Sequence, residues 1–375
     1  MSRGRGGCAA LGCVVVGVLV GLAAISGMWA GLTELEPPAE EPWASGDDEA
    51  EQAADAEEVL PPPDQAPEPP NDAGVSAWKE PEEKPAADDP GLLSLTYRFT
   101  DHGGRSRRMR CTVRRQDFER EVAWFGVVKR RLWERVNAEL QQALEAEARE
   151  RGVAGLFTIQ VERQGAYRWR YRTPGDRSLR ARAEAFHAWL DNDAHRVSEE
   201  IVARAYGEHG FRLERSTVSV DYGRIVDQAT HPLADCYLAL HRSGEDVAAD
   251  RLAGLFLAFF QELRYEIPPD VDALGRETLG FRVPTEVLVR KAGDCDSKAA
   301  AFCAVWRQLP ARSLIVLVPD HALVAVEGRP GPDQAHVRIG NRYYILCEVA
   351  GPGKAPPGAT SISGSFEYVL IEPAG

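Results

Sequence analysis

The hydrophobic pattern begins with a long uncharged run near the N-terminus. The run extends from Cys8 to Leu32 and contains no charged side chain. Because about 20 apolar residues suffice to span a bilayer, the pattern predicts a short tip and a transmembrane anchor over residues 1–32. Arg3 and Arg5 precede the run, and positive charge on this side predicts a cytoplasmic N-terminus.

A cleaved signal peptide is the alternative interpretation of the same run. Residues 24–26, Ala-Ile-Ser, have the small side chains of a cleavage site. The apolar residues continue beyond this site to Leu32, which favours a retained anchor. Under either interpretation the rest of the chain is exported. We therefore expect a single-pass membrane protein whose globular part is periplasmic or otherwise extracytoplasmic.

Residues 33–92 have the composition of a disordered, acidic, proline-rich linker. They contain 19 Asp or Glu residues, 12 Pro residues and only two Lys residues. Such a segment buries too little apolar surface to offset the entropy lost on folding. Because it holds more negative charge than the formal −13 of the whole chain, the remainder is nearly neutral. The globular part therefore gives no indication of nucleic-acid binding.

Helical and alternating periodicities begin at residue 93 and predict an α+β fold class. We expect an α+β extension over residues 93–245 and a catalytic domain over residues 246–375. The predicted strands of the extension are Leu95–Thr100, Met109–Val113, Phe157–Val161, Tyr167–Tyr171 and Phe211–Val220, and its predicted helices are Gln116–Arg151 and Leu179–Tyr206. The second domain begins with a helix, Asp246–Tyr265, that is too short and too charged to be a second membrane span.

Cys295 is predicted to open a helix directly after a sharp loop at residues 292–294. A thiol at a helix N-terminus lies at the positive end of the helix dipole, which favours the reactive thiolate. Lys298, one turn later, adds a positive charge on the same side. The alternative is that Cys295 is a buried core residue, because it shares a helix face with Phe302 and Trp306.

Three predicted strands after this helix supply a base and an acid. They are Ser313–Val318, His321–Val326 and Arg342–Glu348. Antiparallel pairing can bring the end of a later strand, here Glu348, beside the start of an earlier one, here His321. Cys295, His321 and Glu348 are therefore candidates for the nucleophile, the base and the acid that orients the base. His336 and His231 are the rival bases.

Three motifs in this region resemble those of the transglutaminase-like superfamily, in particular its bacterial cysteine-proteinase type. They are G-D-C-D-S-K-A-A-A-F at 293–302, D-H-A-L-V-A-V at 320–326 and Y-Y-I-L-C-E-V-A-G at 343–351. The resemblance implies a papain-like core, in which a cysteine-bearing helix packs on an antiparallel sheet that carries the histidine and the acid. The family's acid is commonly Asp, whereas this chain has Glu348.

The resemblance also implies acyl transfer by Cys295, His321 and Glu348. We expect a membrane-tethered, exported cysteine hydrolase, a peptidase or amidase, that acts on a protein or peptide substrate. Two alternatives stay open: a transglutaminase that cross-links proteins, and an inactive binding or scaffold domain that keeps the fold. A thiol-redox role has weaker support, because the chain has no C-x-x-C motif.

Asp294 and Asp296 flank the thiol, and some members of the superfamily bind calcium through acids beside the cysteine. Two carboxylates are fewer than a calcium site needs. We therefore predict no cofactor and assign Asp294 to helix capping.

The cysteine count leaves the disulfide state open. The part of the chain after the uncharged run has five cysteines, Cys111, Cys236, Cys295, Cys303 and Cys347. An odd number leaves at least one without an intramolecular partner. This suits a catalytic thiol, and it equally suits a chain without disulfides.

Overall fold

The computed structural model describes residues 89–374, apart from residues 215, 352 and 363. Its helices are α1 (Arg115–Trp124), α2 (Lys129–Glu150), α3 (Arg177–Asn192), α4 (Ala194–Gly207), α5 (Tyr222–Thr230), α6 (Ala234–Arg242), α7 (Leu252–Glu262), α8 (Pro284–Arg290) and α9 (Cys295–Trp306). Its strands are β1 (Leu92–Thr100), β2 (Ser106–Arg114), β3 (Phe157–Val161), β4 (Tyr167–Tyr171), β5 (Phe211–Glu214), β6 (Thr217–Val220), β7 (Arg264–Tyr265), β8 (Ala292–Gly293), β9 (Ser313–Val318), β10 (His321–Glu327), β11 (His336–Ile339), β12 (Arg342–Cys347) and β13 (Glu367–Ile371). The fold class is α+β, as predicted.

The largest sheet is antiparallel and has the strand order β11-β12-β10-β9-β13. The central strands β9 and β10 are apolar nearly throughout and are buried, as expected for strands covered on both faces. Val324 of β10 pairs with Cys347 of β12, and His321 pairs with Val318 of β9. α9 packs against β9 and β10. The sheet therefore brings the end of β12 and the start of β10 to the side on which α9 lies.

The core is built around α7 and α9, which are largely apolar. Residues 255–261 of α7 and all of α9 except Asp296 are buried. Aromatic side chains of the two helices are in contact: the ring centroids of Phe260 in α7 and Phe302 in α9 are 5.4 Å apart. On the other side, Tyr97 of β1 lies 5.0 Å from Phe259. One cluster of buried side chains thus includes residues from both predicted domains. The predicted division between residues 245 and 246 stays a prediction.

The predicted helix Gln116–Arg151 consists of two helices, α1 and α2. The chain leaves the helical conformation at Phe125, and Gly126 adopts a left-handed conformation with φ of 92°. A Cβ atom at this glycine would lie 3.2 Å from the Glu277 carbonyl oxygen. Val127 then forms an isolated antiparallel bridge with Glu277. A tertiary contact and one glycine therefore interrupt a pattern that is otherwise helical.

Three other predictions merge or overextend elements of the structure, and several predicted strands differ from the observed ones by one to three residues at an end. The predicted helix Leu179–Tyr206 is divided into α3 and α4 at Asp193, which ends the first helix and precedes the second. The predicted strand Phe211–Val220 is the hairpin β5–β6. The predicted helix Asp246–Tyr265 is shorter, because α7 begins at Leu252 and β7 follows it.

The membrane prediction requires a correction. None of the helices in the described part of the chain combines the length and the apolar character that a membrane span requires. The most apolar of them, α7, has 11 residues, about half of the roughly 20 that cross a bilayer. The predicted anchor (residues 1–32) lies outside the described residues, as does nearly all of the predicted linker. The described residues therefore give no support for the predicted transmembrane helix or for the predicted localisation as a single-pass membrane protein.

Candidate active site

Cys295 is the first residue of α9, and the turn before it sets its position. α8 ends at Arg290, and the next residue, Lys291, terminates it in a left-handed conformation (φ 55°). β8 then pairs in parallel with β7. Asp294 caps α9, because its carboxylate accepts a hydrogen bond from the Ser297 amide. The thiol therefore stands at the N-terminus of a buried helix.

Cys295 packs with Ala322 and Ala350 in a small buried cluster. Ala322 directly follows His321 in β10, and Ala350 lies two residues after Glu348. The Cys295 side chain is 6% exposed. The start of α9, the start of β10 and the segment after β12 therefore meet at one place, and each contributes one of the three predicted site residues.

His321 and Glu348 form a direct hydrogen bond. The Nε2 atom of His321 lies 2.7 Å from the Oε2 atom of Glu348. The other carboxylate oxygen, Oε1, accepts a hydrogen bond from the Ala350 amide at 2.9 Å. Both side chains are partly exposed, His321 at 33% and Glu348 at 21%. The carboxylate is therefore fixed through both oxygens, and it orients the imidazole through Nε2.

The two rival histidines lie elsewhere. His336 is exposed on β11, where its Nδ1 atom lies 2.9 Å from the carbonyl oxygen of Gln334. His231 is exposed at the C-terminal end of α5. Of the three candidates, it is His321 whose ring is bonded to the Glu348 carboxylate. The arrangement therefore favours His321 as the base.

Lys298 is completely buried one turn after the thiol. Its Nζ atom donates hydrogen bonds to the carbonyl oxygens of Leu263 and Ala350, the latter at 2.9 Å. Burial lowers the pKa of Lys298 to about 8, although the negative charges of Glu348 and Asp294 act in the opposite direction. The lysine thus ties α9 to the end of α7 and to the segment after β12.

Gln261, near the end of α7, fixes the same segment from the other side. Its Nε2 atom donates to the carbonyl oxygen of Glu348 at 2.7 Å and to that of Ala355 at 2.8 Å. Its Oε1 atom lies 3.1 Å from the Nε2 atom of His102. Sequence reasoning missed Gln261, because it is 87 residues from Glu348 and belongs to no motif. Its sequence signal is an amide side chain directly after the apolar run of α7.

Two acids flank the thiol, Asp294, which is buried, and Asp296, which is partly buried. Burial raises the pKa of both, and the charge of Asp296 raises that of Asp294 further. The Asp296 carboxylate accepts hydrogen bonds from the Tyr222 hydroxyl at 2.9 Å and from the Ser297 amide at 2.8 Å. The raised pKa values favour a proton on this pair, which limits the negative charge beside Cys295.

The calcium hypothesis gains no support from this geometry. Within residues 89–374, no group of three or more His, Cys, Asp or Glu side chains is arranged to hold a metal ion. Asp294 caps α9, and Asp296 is engaged by Tyr222. Both acids therefore have structural partners within the chain.

Comparison with protein-family models, with curated proteins and with solved structures finds no match to this chain. The resemblance to the transglutaminase-like superfamily therefore depends on the three motifs alone. The geometry around Cys295, His321 and Glu348 describes a candidate site, and the catalytic roles of these residues stay a prediction.

Proposed function

We propose that the chain is a cysteine hydrolase, a peptidase or amidase, with a transglutaminase-like core and the catalytic residues Cys295, His321 and Glu348. The observation that carries the proposal is the 2.7 Å hydrogen bond between His321 Nε2 and Glu348 Oε2. This pair lies beside the cluster in which Cys295 packs at the start of α9. A helix-borne thiol against an antiparallel sheet that supplies base and acid is also the arrangement that the motif resemblance implies.

Each of the three residues has a defined part in acyl transfer. Because Glu348 holds Nε2 of His321, the Nδ1 atom is the one that exchanges the proton with Cys295. The thiolate attacks the amide carbon and forms a carbon–sulfur bond, and the carbonyl oxygen becomes an oxyanion. The Cys295 amide, in the first turn of α9, is a candidate donor to that oxyanion.

The tetrahedral intermediate then collapses to a thioester. The carbon–nitrogen bond breaks, and the amine departs with the proton that His321 carries. Water, deprotonated by His321, attacks the thioester and releases the carboxylic acid and the thiolate. Glu348 stabilises the imidazolium in both halves of the reaction. An amine in place of water would give a cross-link, which is the transglutaminase alternative.

The test uses a library of tryptic peptides incubated with the purified chain. Hydrolysis of a backbone amide gives peptides with new termini, and hydrolysis of a side-chain amide gives a carboxylate in its place. Transamidation gives joined peptides, and a scaffold domain gives none of these products. We expect one of the two hydrolysis products with the wild type and neither with Cys295→Ser or His321→Ala. Cys303→Ala is the matched control, because Cys303 is a buried cysteine on the same helix. Equal products from wild type and Cys295→Ser would refute the proposal.

A further inference from the structure

Two cysteines outside the candidate site lie unusually close together. Cys111 is on β2 and Cys236 is on α6, and their Sγ atoms are 2.6 Å apart. Each side chain is 1% exposed. The two residues are 125 positions apart in the sequence, so their contact is created by the packing of α6 on β2.

The neighbouring residues hold the two backbones in place. The backbone amide and the hydroxyl of Thr112 both donate to the Oδ2 atom of Asp235, at 2.6 and 2.7 Å. Further along, the Arg107 guanidinium donates to the carbonyl oxygen of Ser243 at 2.8 Å and to the carboxylate of Asp246. Polar contacts on both sides of the thiols therefore fix β2 against the α6 region.

We propose that Cys111 and Cys236 form a disulfide bond in the folded protein. The Sγ–Sγ separation of 2.6 Å is shorter than a hydrogen bond donated by a thiol, which is a weak donor. It approaches the S–S bond length of about 2.05 Å. The flanking contacts of Thr112 and Arg107 keep the sulfur atoms in this arrangement. Within the described residues no third ligand accompanies the pair, since no metal-binding group is present.

Oxidation requires a disulfide oxidant, such as oxidised glutathione. The thiolate of one cysteine attacks the oxidant, which gives a mixed disulfide and releases one glutathione thiol. The second cysteine attacks the mixed disulfide, forms the S–S bond and releases the second glutathione thiol. The two cysteines lose two electrons, the oxidant gains them, and the two cysteine protons pass to the released glutathione.

The bond forms while the chain folds. In the folded protein the contact with Cys111 and burial raise the pKa of Cys236 well above its usual value, so the attacking thiolate is scarce. The same burial protects a completed bond from exchange with external thiols. Because the bond closes a long loop, it restricts the unfolded chain and raises stability. It leaves Cys295, the proposed nucleophile, as a thiol.

The experiment refolds the full chain from denaturant, with oxidised glutathione or with excess reductant. We expect a non-reducing tryptic digest of the oxidised sample to contain the peptide 111–114 joined to the peptide 225–242, lighter than their sum by two hydrogen atoms. After unfolding, the oxidised protein should take up two fewer alkylating groups than the reduced protein. The urea midpoint should be higher for the oxidised form.

Single-cysteine variants test whether the bond between Cys111 and Cys236 accounts for the joined peptide and for the difference in urea midpoint. Cys111→Ala and Cys236→Ala should each lose the joined peptide and the difference between the two urea midpoints, whereas Cys303→Ala should keep both. If the variants do not fold, the digest of the wild type decides. Two free thiols at Cys111 and Cys236 after oxidative refolding, or their linkage to any other cysteine, would overturn the proposal.

Discussion

The buried ammonium of Lys298 donates a hydrogen bond to the Ala350 carbonyl oxygen at 2.9 Å. The amide of Ala350 in turn donates to the Glu348 carboxylate. Ala350 is thus bound by Lys298 of α9, the helix that carries Cys295. Ala350 in turn binds Glu348, the acid that orients His321. This chain of contacts makes Lys298 a positioning residue for the proposed site.

Lys298→Met should therefore disturb both stability and the site. The substitution leaves the carbonyl groups of Leu263 and Ala350 without their donor, and we expect a loss of about 1–3 kcal/mol in the free energy of unfolding. Urea unfolding at pH 7 measures this loss. Alkylation of Cys295 should slow in the same variant, because the segment beside it is no longer held.

Lys354→Met is the matched control for this prediction. Lys354 is 43% exposed and pairs with Glu262 at the surface. Removal of such a pair should change the free energy of unfolding by less than about 1 kcal/mol. Unchanged stability and unchanged Cys295 labelling in Lys298→Met would show that the lysine has no positioning role.

Iodoacetamide should label Cys295 before the other buried cysteine of α9. Burial raises the pKa of Cys303 to about 12, so its thiolate is scarce at neutral pH. Cys295 lies at the positive end of the dipole of the same helix and packs against Ala322, the residue after His321. Peptide mapping after a short pulse at pH 7 measures the ratio of labelling. Equal slow labelling of the two cysteines would favour the scaffold alternative.

Glu348→Gln tests the third member of the proposed triad. The amide keeps the shape of the side chain but loses the charge that stabilises the imidazolium. By analogy with removal of a triad acid, turnover of a peptide found in the library screen should fall by about 10²–10⁴. Glu327→Gln is the control, because Glu327 ends β10, the strand that begins with His321, and bonds Arg342 outside the candidate site. A silent Glu348→Gln variant would remove Glu348 from the triad.

We expect Glu121, which is outside the candidate site, to make the stability of the protein depend on pH. It is buried on α1, where Thr285 is its hydrogen-bonding neighbour. Burial raises its pKa from 4.5 to about 8. Between these pH values the folded state keeps a proton that the unfolded state has lost. The contribution of Glu121 to the free energy of unfolding therefore falls as pH rises from about 4.5 to about 8.

Glu121→Gln should remove this pH dependence. At pH 8 the variant should be more stable than the wild type by at least about 1.4 kcal/mol, the equivalent of one pKa unit. The gain should shrink towards pH 4.5, where both side chains are neutral. Glu119→Gln, an exposed change on the same helix, should show no such trend. Urea unfolding at both pH values gives the comparison.

The main elements around the site could be predicted from sequence because their signals are local. The apolar run of β9 and the Gly-Asp-Cys start of α9 extend over a few residues each, and the structure has both elements where the pattern predicts them. Breaks caused by distant contacts could not be predicted. The bridge between Val127 and Glu277 divides a continuous helical pattern. This break could not be predicted, because periodicity carries no information about a partner 150 positions away.

For the candidate site, the sequence by itself determined the three chemical groups and their order along the chain, Cys295, His321 and Glu348. The tertiary structure decided which histidine meets the acid, and it gave Lys298 and Gln261 their roles as supports of the segment after β12. Local sequence specifies side-chain type and secondary structure. Hydrogen bonds and thiol contacts between residues far apart in sequence depend on how the helices and the sheet pack, so only the folded chain reveals them.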